Sequence, residues 1–160
     1  MQTRSAASVA ATAVTAAQLI GAQWNPSPTH PRTALWYASL RKPSFTPPGP
    51  VFAIAWTVLD GLQAYAGYRL LKERPSAARS AALGAWALNL LGVAGFSWVL
   101  FGRKRLGEAL GVTGGMVVTA ATAAGTATLV DRRAGAASLP LLAWVTFAAV
   151  LQEEVWQRNT

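Results

Sequence analysis

"SAALGAWALNLLGVAGFSWVLFG", residues 80–102, runs between Arg79 and Arg103 without a single formal charge. At 1.5 Å rise per residue, a helix of that length reaches across the roughly 30 Å hydrocarbon core of a bilayer. Working outward, the charges cluster at 69–79, 103–108 and 131–133, and long uncharged runs lie between the clusters. Apolar residues make up 52% of the 160-residue chain and charged residues 12%. A soluble domain carries about 25% charge, so this chain cannot cover its surface with charge. The pattern is that of a polytopic helical membrane protein.

Five segments are close to the length that spans a membrane: 5–24, 51–71, 77–101, 106–130 and 139–156. The expected architecture is all-α, a single domain over 1–160. It is an integral membrane bundle of five transmembrane helices with a long, structured first loop at 25–50. The other connections are short, so the bundle has one elaborated mouth. The first segment is rich in Ala, Ser and Thr, as targeting peptides are. Trp24 at its end suits a membrane interface and reads it as a mature helix. Cations are equal in number on the two sides, so the positive-inside rule assigns no orientation.

The net charge is +8. Its cations sit in short connections, where they meet lipid headgroups, and nucleic acid is not an expected partner. The chain has no cysteine and one histidine, His30. That excludes disulfides, thiolate chemistry and a multi-histidine metal site. His30 lies in "SPTHPRT" (27–33) and reads as a solvated loop residue. Gly107, Gly111 and Gly115, continued by Thr119, form a row at spacing four. Close packing inside the bundle is the simpler reading, and a homodimer through glycine-rich helix faces is the second.

Three groups of residues are candidates for binding. Trp144, Phe147, Ala148 and Leu151 share one face of the last segment, and Phe52 and Trp56 one face of the second. From spacing alone, core packing explains them. Asn89 is an amide in mid-span that bonds a neighbouring helix or meets a ligand. Asp60 is a carboxylate ten residues into a span, costly there and a functional-site hypothesis by default. Its expected partners are a ligand's polar edge, a loop cation such as Arg41 or Lys42, or water.

The proline-rich stretch "WYASLRKPSFTPP" (36–48), followed by "VFAIAWTVLD" (51–60), resembles the first loop and second helix of the TspO/translocator protein family. The matching residues are Trp36, Tyr37, Leu40, Lys42, Pro43, Phe45, Pro47, Pro48, Trp56 and Leu59. "ALN" (87–89) with "FG" (101–102), and "PLLAWVTFAAVLQEEVWQRN" (140–159), are similar to later blocks of that family in the same order. The resemblance covers roughly 20–159. It implies a five-helix bundle whose first loop lids a pocket for porphyrins or sterol-like ligands. On that basis the pocket is expected to involve Trp36, Phe45, Phe52, Trp56, Asp60, Asn89, Trp144, Phe147, Ala148 and Leu151. Ala148 leaves room for a flat ring, and the tryptophans offer walls to stack on. The chain departs from the family at Asp60 (a family Tyr), Gly92 (Trp), Glu108 (Trp), Val112 (Asp) and Gln152 (Asn). Trp98 is a candidate substitute for the missing tryptophan. Glu153 replaces the tyrosine of the short cholesterol motif, which is therefore absent.

The resemblance thus implies a membrane-embedded sensor, receptor or carrier. Porphyrin or haem is its expected ligand, no cofactor is obligatory, and sterols and membrane lipids are further partners. The alternative is an enzyme promoting light- or oxygen-dependent porphyrin degradation. Residue chemistry favours binding, because no paired intramembrane carboxylates or cysteine nucleophile are present. A bacterial cell membrane is the expected location, an organelle outer membrane the second choice.

Overall fold

Apolar runs of span length fold as helices wherever no proline or charge cluster interrupts them, and the punctuation marks the ends. The computed structural model describes residues 3–160. Six helices follow in order: α1 Thr3–Ala22, α2 Pro31–Ser39, α3 Gly49–Lys72, α4 Ala77–Ser97, α5 Leu106–Val130 and α6 Arg132–Arg158. A π-helical turn, Trp98–Gly102, extends α4. Ser76 starts α4 by accepting the Arg79 amide at 3.1 Å. Pro31 opens α2, where its fixed φ is already helical and its missing N–H costs nothing. The Arg79 side chain closes α3 by donating to the Leu70 and Leu71 carbonyls.

Three expectations need correction. The connection 25–50 is not loop throughout, because Pro31–Ser39 is helical. Among the described residues four helices, not five, are long and apolar enough to cross a membrane: Thr3–Ala22, Ala77–Gly102, Leu106–Val130 and Arg132–Arg158. The exception is α3, which has the length, 24 residues. Asp60 and Gln63, together with the weakly polar Thr57 and Tyr65, keep its hydropathy below that class. The last helix also starts earlier than expected and runs through Pro140.

The five long helices close into a ring in the order α1, α3, α6, α5, α4 and back to α1, each packed on two neighbours. Without water, such packing rests on close van der Waals contact, which small residues permit. At the end away from α2 the ring is tight. Leu70, Ala82, Ala127 and Ala134 form one buried cluster there. A Cβ on Gly67 would lie 2.6 Å from the Trp86 ring, so only glycine leaves room for that ring against α3. At the α2 end, Trp, Phe and Tyr stand between the helices and hold them apart. The Gly107–Gly115 row does not act as one packing groove. Gly107 lies under Trp156, whereas Gly111 and Gly115 face open space.

The tight end is fastened by charge. Arg69, on the last turn of α3, donates from Nε to Asp131 Oδ2 at 2.9 Å and also from a terminal guanidinium nitrogen. Asp131 Oδ1 accepts the Arg133 and Ala134 amides at 2.7 and 3.1 Å and so caps α6. The Asp131 side chain is 7% exposed. Burial works against its ionisation, but the Arg69 hydrogen bond and the two amides outweigh it and hold the carboxyl below its ordinary value. A lowered folded pKa gives stability that is full above the unfolded value, near 3.9, and is lost as pH falls through the folded value. Asp131→Asn should therefore melt below the parent at pH 7. Below pH ~4 the parent's melting point should fall towards that of the variant. Parallel melting curves for the two proteins between pH 7 and pH 3 would contradict this role.

Candidate ligand cavity

Helices held apart by large side chains leave space between them. Inside the ring at the α2 end lies a cavity of about 570 Å³, within the roughly 300–1,000 Å³ typical of small-molecule sites. All five long helices wall it. Gln18 comes from α1, Phe52 and Trp56 from α3, Phe96 and Ser97 from α4, Thr113 and Met116 from α5, and Trp144, Ala148 and Gln152 from α6. None of its lining residues carries a charge.

Aromatic contacts run from the lid into this space along two sides. On one, Phe45 of the lid meets Phe147 edge-on at 6.3 Å. Phe147 meets Trp144 at 5.7 Å, and Trp144 meets Phe52 at 5.6 Å. On the other, Tyr37 of α2 meets Phe101 at 5.4 Å, and Phe101 meets Phe96 at 6.4 Å. Edge-on pairs at these distances hold ring orientation as well as burying area. Burial also raises the Tyr37 hydroxyl pKa, so this ring stays neutral. The lid is pinned a third time by Asn159. Its Oδ1 accepts the Arg41 amide at 2.9 Å, and its Nδ2 donates to the Arg41 carbonyl at 2.9 Å and to Val155 at 2.7 Å.

The structure brings five of the expected residues to one cavity: Phe52, Trp56, Trp144, Ala148 and Leu151. Phe45 and Phe147 stand behind that wall and support it through the aromatic contacts. Trp36 packs instead on the cluster of Val99, Leu100 and Ala109, with the Lys104 ammonium 5.5 Å from its ring centre. Lys104 holds a left-handed backbone, φ 56°, to place that group. Asn89 is fully buried. Its Nδ2 donates to the Ala85 carbonyl at 3.2 Å, and its Oδ1 has no partner. Asp60 lies outside the cavity wall and accepts from Gln18 Nε2 at 2.7 Å. The expected loop cations do not reach it. The Arg41 backbone is held by Asn159, and Lys42 bonds lid carbonyls.

The departures from the family pattern have physical explanations. Met116 of α5 fills the space beside Gly92, 2.6 Å from where a Cβ would stand, so α5 supplies bulk that α4 lacks. Glu108 is exposed and pairs with Arg103 at 3.0 Å, away from the cavity. Val112 packs beside Val93 and Met116. Gln152 lines the cavity and donates to the Leu106 carbonyl at 3.0 Å. Trp98 is 45% exposed beneath Arg103 and does not reach the cavity, so it does not replace the missing tryptophan. Residues not anticipated are Gln18, Tyr37, Phe96, Ser97, Thr113 and Met116. A small polar residue in a span, as at Ser97 and Thr113, was the one available signal.

A model of the TspO/MBR family matches residues 10–157. The chain is 36% identical over 131 residues to the translocator protein of Ovis aries, covering 78% of this chain and 75% of that protein. It is 34% identical over 124 residues to the tryptophan-rich sensory protein of Cereibacter sphaeroides, covering 78% and 77%. To protein CrtK of Rhodobacter capsulatus it is 32% identical over 133 residues, covering 78% of each. Together with four helices of span length and hydropathy, these likenesses mark an integral membrane protein.

The Asp60–Gln18 pair yields a test. Gln18→Leu strands the carboxylate inside the ring and should cost about 1–3 kcal/mol, read from thermal unfolding in detergent. The double variant Gln18→Leu with Asp60→Leu should recover most of that loss, because no unpaired polar group remains. A double variant as unstable as the sum of the single variants would refute the pairing.

Proposed function

The chain belongs to the TspO/MBR family, and on that premise we propose that it is a membrane receptor or sensor for a flat hydrophobic ligand. The ligand class is a tetrapyrrole, porphyrin or haem, or a sterol-like molecule, held inside the helix ring beneath the lid. One observation carries the reading: an uncharged cavity of about 570 Å³ walled by Phe52, Trp56, Phe96 and Trp144. An apolar ring system gains there from burial and from offset or edge-on stacking. Ala148, on the α6 wall, leaves the space that a larger side chain would take. In this reading α3 also crosses the bilayer, because it fills one position of the ring and its Asp60 and Arg69 have protein partners. Asp60 meets Gln18, and Arg69 meets Asp131. The open face at Gly111 and Gly115 suits a homodimer seam, and a bacterial cell membrane is the proposed location.

Titration with protoporphyrin IX, followed by quenching of tryptophan fluorescence, tests the reading. Ala148→Phe and Trp144→Ala should each weaken binding about tenfold or more, since burying or stacking one aromatic ring contributes roughly 1.5–3 kcal/mol. Affinity unchanged in both variants would place the ligand elsewhere.

A further inference from the structure

The cavity is neutral, so a ligand's ionised group has no partner inside it, and burying a carboxylate unpaired is costly. A second concavity lies outside, on the lid itself, walled chiefly by Pro28, Pro31, Ala34 and Leu35. Pro26 and Tyr37 belong to both walls, so the two spaces are separated by one layer of side chains. Among the described residues Lys42 is the one charged residue on the outer wall. Its Nζ donates to the Leu40 carbonyl at 3.2 Å and to the Ala38 carbonyl at 3.4 Å, and lies 4.6 Å from the Tyr37 ring centre. An ammonium has three donors, which leaves one free. Among the described residues no carboxylate pairs with it within 4.0 Å. Burial lowers the Lys42 pKa, the mark of a cation short of compensation.

We infer that this outer groove is an anion subsite for a ligand held in the cavity, across the layer formed by Tyr37 and Pro26. The flat neutral body of the ligand fills the ring, and its carboxylate passes between Tyr37 and Pro26 to the Lys42 ammonium. The ligand class narrows to an amphipathic carboxylic acid. The inference rests on the cavity reading above and adds to it which polar end faces the lid.

Paired probes separate the two. Protoporphyrin IX carries two carboxylates, and its dimethyl ester carries none. In neutral detergent, Lys42→Met should weaken binding of the diacid about tenfold, the scale of a lost hydrogen bond to a charged group. Binding of the ester should change less than twofold, and Lys42→Arg should retain most of the diacid affinity. Equal weakening of diacid and ester would make the lysine a lid-shaping residue and overturn the inference, as would an unchanged diacid affinity. Loss of the diacid preference in phosphatidylglycerol nanodiscs would assign the ammonium to lipid phosphate, also against it. If neither porphyrin binds the parent protein, the tetrapyrrole reading fails by itself. Cholesteryl hemisuccinate against cholesterol, measured in the same variants, then decides the role of Lys42 by the same criteria.

Discussion

Close approach at one end of the ring and its prevention at the other is the constraint from which the site follows. Gly67 lies against Trp86, and Ala82, Ala127 and Ala134 surround Leu70. Backbones that meet this closely have nothing left to fill. The Arg69–Asp131 pair and the cap on α6 fix the same end against sliding. Towards α2 the residues between the helices are Phe, Trp and Tyr, and the cavity lies among them. Its floor is the buried cluster of Leu59, Val93, Met116 and Val145. The site is thus a consequence of where small and large side chains fall along the spans, rather than of any single residue.

A divergent mouth needs closing, and the lid is closed by several contacts of different kinds. Phe45 and Tyr37 interlock with rings on α6 and the π-helical turn. Asn159 binds both backbone groups of Arg41. Trp36 and Lys104 tie α2 to the turn before α5. The prolines reduce what the lid loses in entropy when it is held in one shape. Because the fastening is distributed, the lid lies over the cavity as part of the bundle.

Much of this was legible in the sequence, for a physical reason. Apolar runs of span length between charge clusters fix long helices wherever they occur, and a helix face read at spacing 0, 3, 4 and 7 is local. So the α6 face at Trp144, Ala148 and Leu151 and the α3 face at Phe52 and Trp56 could be read directly. What could not be read depends on the ring's order. Gln18 is 42 residues from Asp60, and no periodicity pairs them. Met116 fills the gap left at Gly92 only because α4 and α5 are neighbours at that height. The partners of Asp60 and Arg69 on α3 could not be read either, because they lie on other helices or at their ends. The helix α2 is hidden by prolines that read as loop, although Pro31 is what starts it.

The proposed ligand sits inside the ring, below the lid, and not on the lipid-facing surface. Photo-cross-linking with a diazirine-bearing porphyrin, followed by peptide mapping, tests this most directly. A porphyrin bound there should label 49–56, 93–101 and 144–155, and excess unlabelled porphyrin should reduce the labelling. Labels confined to outward-facing positions such as Leu91 and Leu129, both exposed, would contradict it.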